Sequence, residues 1–115
     1  MAVLQIAPAA LAELRRLVME SSARRPVVSV SWERPWVDTK RGPNGETLWN
    51  RVSDGKWNVC VHDHENPHFP KPPDWPLTKV HELEFVDLFF DPQGRALQHP
   101  LLDYEKGSFV LQEGS

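Results

Sequence analysis

Residues 27–32 read Val-Val-Ser-Val-Ser-Trp, directly after Pro26. Successive side chains of an extended chain point to opposite faces, so Val28, Val30 and Trp32 share one side and Ser29 and Ser31 the other. That alternation is the pattern of a half-buried strand. The class of the fold follows from what lies on either side of it.

Upstream, Pro8 suits the first position of a helix, where its missing N–H is not needed. From there to about Ser21, Leu11, Leu14 and Val18 recur at i, i+3 and i+7, with Glu13, Arg16 and Glu20 away from that stripe. One amphipathic helix is expected, ended by the residues before Pro26. Residues 2–6, Ala-Val-Leu-Gln-Ile, read as a short strand in front of it.

Downstream, residues 33–46 read as a loop, with turn chemistry at Gly42-Pro43-Asn44-Gly45. Two strands, 47–52 and 57–63, are expected to pair as a hairpin around Asp54-Gly55. Residues 66–77 carry five prolines and read as an extended surface loop. A strand over 81–90 stops at Asp91-Pro92-Gln93-Gly94, and a turn-like stretch leads to a last strand over 108–112. One helix followed by strands predicts an α+β domain spanning residues 1–115, with the helix on a mostly antiparallel twisted sheet or two small sheets.

Length and composition agree with a single globular domain: 115 residues, 40% hydrophobic and 25% charged. The net charge of −3 is spread along the chain, and the basic pairs Arg15-Arg16 and Arg24-Arg25 are no footprint for a phosphate backbone. Nucleic acid is therefore not an expected partner. No stretch approaches the ~20 apolar residues of a membrane span, so no membrane partner is expected either. The N-terminus lacks the positive region of a signal peptide, and a single cysteine suits a reducing compartment, so the expected location is cytoplasmic. Glu113-Gly114-Ser115 is read as the natural end.

Three stretches carry a family resemblance. Residues 4–18, Leu-Gln-Ile-Ala-Pro through Val, precede the Val-rich strand. Near the end come Asp91, then Leu102-Asp103-Tyr104, then Gly107-Ser108-Phe109. In this order they resemble the HesB/A-type iron–sulfur carrier domain over about the first and last thirty residues. The resemblance implies a HesB-like fold. That family holds iron or a cluster with three cysteines, one in a loop after the second strand and two in a tail after the last. Here the loop reads Glu33-Arg34-Pro35-Trp36 and the chain stops at Ser115, so those thiolates are missing. A cluster needs such soft ligands. The implied protein is a small non-catalytic accessory or binding protein that has lost the cluster ligands, with a protein partner and no cofactor.

Two constellations compete with that expectation. The first is Asn-Val-Cys-Val-His-Asp-His-Glu-Asn-Pro-His at 58–68. On a strand, Cys60, His62 and His64 share one face at about 6.6 Å per two residues, so His62 can join Cys60 or His64 on one Zn or Fe ion. Further ligands would come from His68, Asp63, Glu65, His81 or His99. The plainer alternative makes these residues the wet face of a half-exposed sheet, and it carries more weight because a third ligand has to arrive from elsewhere. Cys60 beside His62 is also the only local hint of a nucleophile and base.

The second constellation is Trp32, Arg34 and Trp36, which alternate in an extended chain. An arginine between two indoles, near Glu33 or Asp38, can grip a carboxylate, a sugar or a peptide. Trp32 alternatively continues the core face of Val28 and Val30. The spacing Pro67-x-x-Pro70 and Pro73-x-x-Pro76 suits aromatic-grooved recognition domains, though a loop clamped on its own domain explains it better. The oligomeric state is left open by the sequence.

Overall fold

The computed structural model describes residues 3–65 and 76–114. Helix α1 (Pro8–Glu20) follows a two-residue strand β1 (Gln5–Ile6). Then come β2 (Pro26–Glu33), β3 (Trp36–Arg41), β4 (Thr47–Ser53) and β5 (Lys56–Asp63). The chain ends with β6 (Leu77–Val80), β7 (Leu83–Val86), β8 (Pro100–Glu105) and β9 (Ser108–Glu113).

These strands form three sheets, ordered β1-β8-β9, β5-β2-β7-β6 and β3-β4. The α+β class expected above is corrected: the described residues hold nine strands against one 13-residue helix, so the protein is mostly β. The pairing is antiparallel except for β1 on β8 and β2 on β7. The helix itself lies where its periodicity puts it. Its fully buried residues are Ala10 and Leu14, one turn apart, while Leu11 and Val18 are only partly covered.

The core lies between the first two sheets and the helix. Leu4, Ala10 and Leu14 meet Val28 and Val30 of β2, Phe85 of β7, Leu102 of β8 and Leu111 of β9. Leu102 and Leu111 are cross-strand partners, and so are Tyr104 and Phe109, whose rings meet edge to face at 4.9 Å. Burial of these apolar side chains supplies the main driving force of folding.

The strand pairing differs from the sequence expectation in four places. Residues 36–41, expected in a loop, are β3, and Gly42-Pro43-Asn44-Gly45 is the tip of a β3–β4 hairpin. The expected hairpin of 47–52 with 57–63 does not form, because β5 pairs with β2 along its whole length. Asp54-Gly55 instead carries the chain from one sheet to another. Gly55 takes φ +91°, and a Cβ there would stand 2.6 Å from the Trp32 indole.

His81 and Glu82, expected inside a strand, are the turn between β6 and β7, both with positive φ (51° and 67°). Two such residues give the turn whose twist matches the flanking strands. The turn-like stretch before Gly107 contains β8, which closes the last hairpin. Of the proline-rich loop expected over 66–77, residues 66–75 lie outside the described residues, and Leu77 belongs to β6.

Candidate binding groove

β2 is a central strand, with β5 on one side and β7 on the other. Its Val28 and Val30 point into the core, so Ser29 and Ser31 face outward, together with Cys60 and His62 of β5 and Val86 of β7. Beyond β7 the chain continues as Asp87-Leu88-Phe89-Phe90. Phe89 turns into the core at 5% exposure, whereas Leu88 and Phe90 remain 42% and 43% exposed. A run with four apolar residues in six cannot bury all of them in one core, and the surplus forms a wall.

That wall and the serine side of β2 enclose a groove of about 480 Å³. Val86, Leu88, Phe90 and Pro92 supply its apolar surface, Ser29 and Ser31 its hydroxyls, and Arg34 and Asp91 its charges. The size falls in the range of small-ligand sites, which are mostly apolar with a few placed polar groups.

The two charges are not equivalent. The Asp91 carboxylate accepts hydrogen bonds from the backbone N–H groups of Gln93 and Arg95 and from Arg95 Nε. The hydrogen bond from the Arg95 backbone, helped by that from Gln93 and by the Arg95 guanidinium, holds its pKa below the usual carboxylate value. Asp91 is committed to its own turn. Arg34 is exposed and makes no hydrogen bond or ion pair among the described residues. The expected partner Glu33 faces Lys56 at 3.9 Å instead, and Asp38 stands opposite Arg51 in the β3–β4 ladder.

Of Trp32, Arg34 and Trp36, the first two border the groove and Trp36 does not. The Trp32 ring packs edge-on against Trp57 at 5.1 Å, continuing the line of Val28 and Val30, while Trp36 opens β3 and is 43% exposed. The cation–π contact of this region is Arg51 over Trp49 at 4.7 Å, and Arg34 has no place in it. Pro35 separates Arg34 from Trp36 and redirects the chain into the hairpin, which is why a straight extended reading placed all three together.

Cys60, His62 and His64 lie on or just past β5, but their side chains have separate surroundings. Cys60 is exposed. His62 Nε2 lies 2.8 Å from the Ser29 hydroxyl, and partial burial lowers its pKa below the ordinary value. His64 Nδ1 lies 3.5 Å from the Arg25 guanidinium, itself paired with Glu84. Asp63 accepts from the backbone of Arg25 and of Glu65, His81 is in the β6–β7 turn, and the His99 backbone N–H donates to Glu113. Among the described residues no group of three or more His, Cys, Asp or Glu is placed to hold a metal ion. His68 lies outside the described residues.

Ser29 and His62 meet as a hydroxyl and an imidazole within hydrogen-bond reach, a pairing the sequence hid because 33 residues separate them. The pair has the elements of a nucleophile and base. Ser29 pairs with Cys60 of β5 and lies just past the two-residue pairing of β2 with β7 at Val27 and Val28, where the strand borders the groove. No helix among the described residues is long and apolar enough to cross a membrane. Comparison with models of protein families, with curated proteins and with solved structures finds no match for this chain.

Proposed function

We propose that this chain is a small binding protein whose groove between β2 and the 86–94 segment takes a ligand with an apolar body and a carboxylate. A peptide ending in an apolar residue has that chemistry. The observation that carries the reading is Arg34, an exposed guanidinium without a partner among the described residues, at the border of an apolar groove. A guanidinium matches a carboxylate with two parallel hydrogen bonds. The Leu88 and Phe90 side chains give the apolar body a surface, and the Ser29 and Ser31 hydroxyls offer polar contacts. This keeps the non-catalytic, binding character that the partial iron–sulfur-carrier resemblance implied.

The test is calorimetric titration with acetylated dipeptides ending in leucine or phenylalanine, as free acids and as C-terminal amides. The acids are expected to bind and the amides at least about tenfold more weakly, since a charge-assisted hydrogen bond contributes roughly 1.5–3 kcal/mol. Arg34→Ala should bring acid and amide to the same affinity, and Leu88→Asp should weaken both. Equal binding of acid and amide by the unaltered chain, or no binding of either, would overturn the reading.

A further inference from the structure

The β3–β4 hairpin is the least covered part of the described chain. Every residue of β3 is exposed, as are those of β4 before Ser53. Val37, Val52 and Leu48 are exposed at 68%, 65% and 54%, and Trp36 and Trp49 are also open. An isolated two-stranded ribbon is marginal in water, and three or more strands are needed for independent stability. An open apolar edge strand is in addition a template for pairing with another strand. β3 is β4's only strand partner among the described residues, so the outer edge of β4 carries no strand.

The order of residues in β4 says which strand fits that edge. Two copies of Thr47–Ser53 laid antiparallel about a two-fold axis at Asn50 place each residue opposite its mirror position. Leu48 then faces Val52 of the second copy, Trp49 faces Arg51, and Asn50 faces Asn50. Every pair is compatible, and each of the first two occurs twice.

Within one chain the Arg51 guanidinium already sits over the Trp49 ring at 4.7 Å. In this register it lies between its own indole and the opposing one, with Asp38 across the ladder behind it. Leu48 is skipped by the register shift at Lys40/Arg41 and so has no cross-strand neighbour of its own. The opposing Val52 supplies one. Val52 is already opposite Val37, so the same face gains a stripe of Val37, Val52 and the second copy's Leu48.

From this self-complementarity we infer that the occupant of the β4 edge is a second copy of this chain, the two hairpins joining into one four-stranded antiparallel sheet. The groove of each copy is separate from this edge. A partner's extended peptide could meet the same backbone groups, but it would not account for an edge whose residues complement themselves.

Sedimentation of the full chain over a concentration series is expected to show a species of twice 13.2 kDa. Asn50→Lys sets two like charges face to face at the axis and should raise the dissociation constant at least about tenfold. A second measurement does not depend on that variant folding normally. In a Cys60→Ser background, Asn50→Cys brings two sulfurs together across the axis, because opposite Cα atoms about 4.5–5.5 Å apart suit a disulfide. It should run as an oxidised dimer, and Thr39→Cys on the covered side of β4 should not. A chain that is monomeric throughout, or one that links through Thr39→Cys and not Asn50→Cys, would overturn the proposal.

Discussion

Ser29 Oγ and His62 Nε2 lie 2.8 Å apart across the β2–β5 ladder, on the face away from the core. Burial lowers the imidazole's pKa below its ordinary 6.5. The unfolded chain keeps the ordinary value, so just below it the unfolded state binds a proton that the folded state does not. Stability then rises with pH in that window. The contribution of neutral His62 is complete above the ordinary value and is lost as pH falls through the lowered folded value.

Urea unfolding between about pH 8 and about pH 5 should therefore show a loss of stability that His62→Gln lacks in part, since the amide can still reach the Ser29 hydroxyl without titrating. Identical pH profiles for the two chains would mean that His62 is solvated like an exposed histidine.

Leu102 is fully buried, stands opposite Leu111 and belongs to the cluster that includes Leu4 and Leu14. Leu102→Ala removes buried methyl groups from the contact of helix and both sheets, and the cost of such truncations is roughly 2–5 kcal/mol. Against a total of about 5–15 kcal/mol this should leave the protein marginal. The shift in urea midpoint at unchanged slope measures it, and a loss below about 1 kcal/mol would mean that this position is not in a packed core.

What was legible in the sequence is what local periodicity controls. Leu11, Leu14 and Val18 announce α1, and the alternation around Val28, Val30 and Trp32 announces β2. Strand pairing was not legible in the same way. Asp54-Gly55 has the chemistry of a tight hairpin, yet the eight residues of β5 find better partners in β2, where Val59 and Val61 meet Val30 and Val28. A non-local apolar ladder outweighs a local turn preference here. His81-Glu82 was misread because neither residue advertises positive φ. The groove was half legible: Arg34 and Trp32 stand out in the sequence, but Leu88 and Phe90 read as strand interior, because nothing local shows that Phe85, Val86 and Phe89 take the buried places of that run and leave these two outside.

Gly55 tests how the chain passes from the hairpin to β5. It takes φ +91°, and an added Cβ would meet Trp32, the Glu33 carbonyl and the Pro35 ring. Gly55→Ala combines left-handed strain with a clash against an indole held by Trp57. The expected loss is about 2–6 kcal/mol, because each effect costs roughly 1–3 kcal/mol. Gly45→Ala is the comparison: it shares positive φ but has nothing within 4 Å of the added Cβ. It should cost about 1 kcal/mol. Equal losses at the two glycines would show that backbone strain alone matters and that the Trp32 contact contributes nothing.

Cys60 is the chain's single cysteine, and it is exposed on an edge strand of the four-stranded sheet. An accessible thiol reacts through its thiolate without any need for unfolding. Ellman's reagent should therefore modify one thiol per chain in native buffer at a rate close to that in urea. Zinc distinguishes the two readings of the Cys60–His64 stretch. A metal held by His62 with Cys60 or with His64 would have to pull His62 from Ser29, and with His64 it would also bring a cation toward the Arg25 guanidinium. Both movements oppose binding, so added zinc is expected to leave the thiol's reaction rate and the melting temperature unchanged. Protection of Cys60 by stoichiometric zinc, with a rise in melting temperature that His62→Ala removes, would instead make this face a metal site completed by a further ligand such as His68.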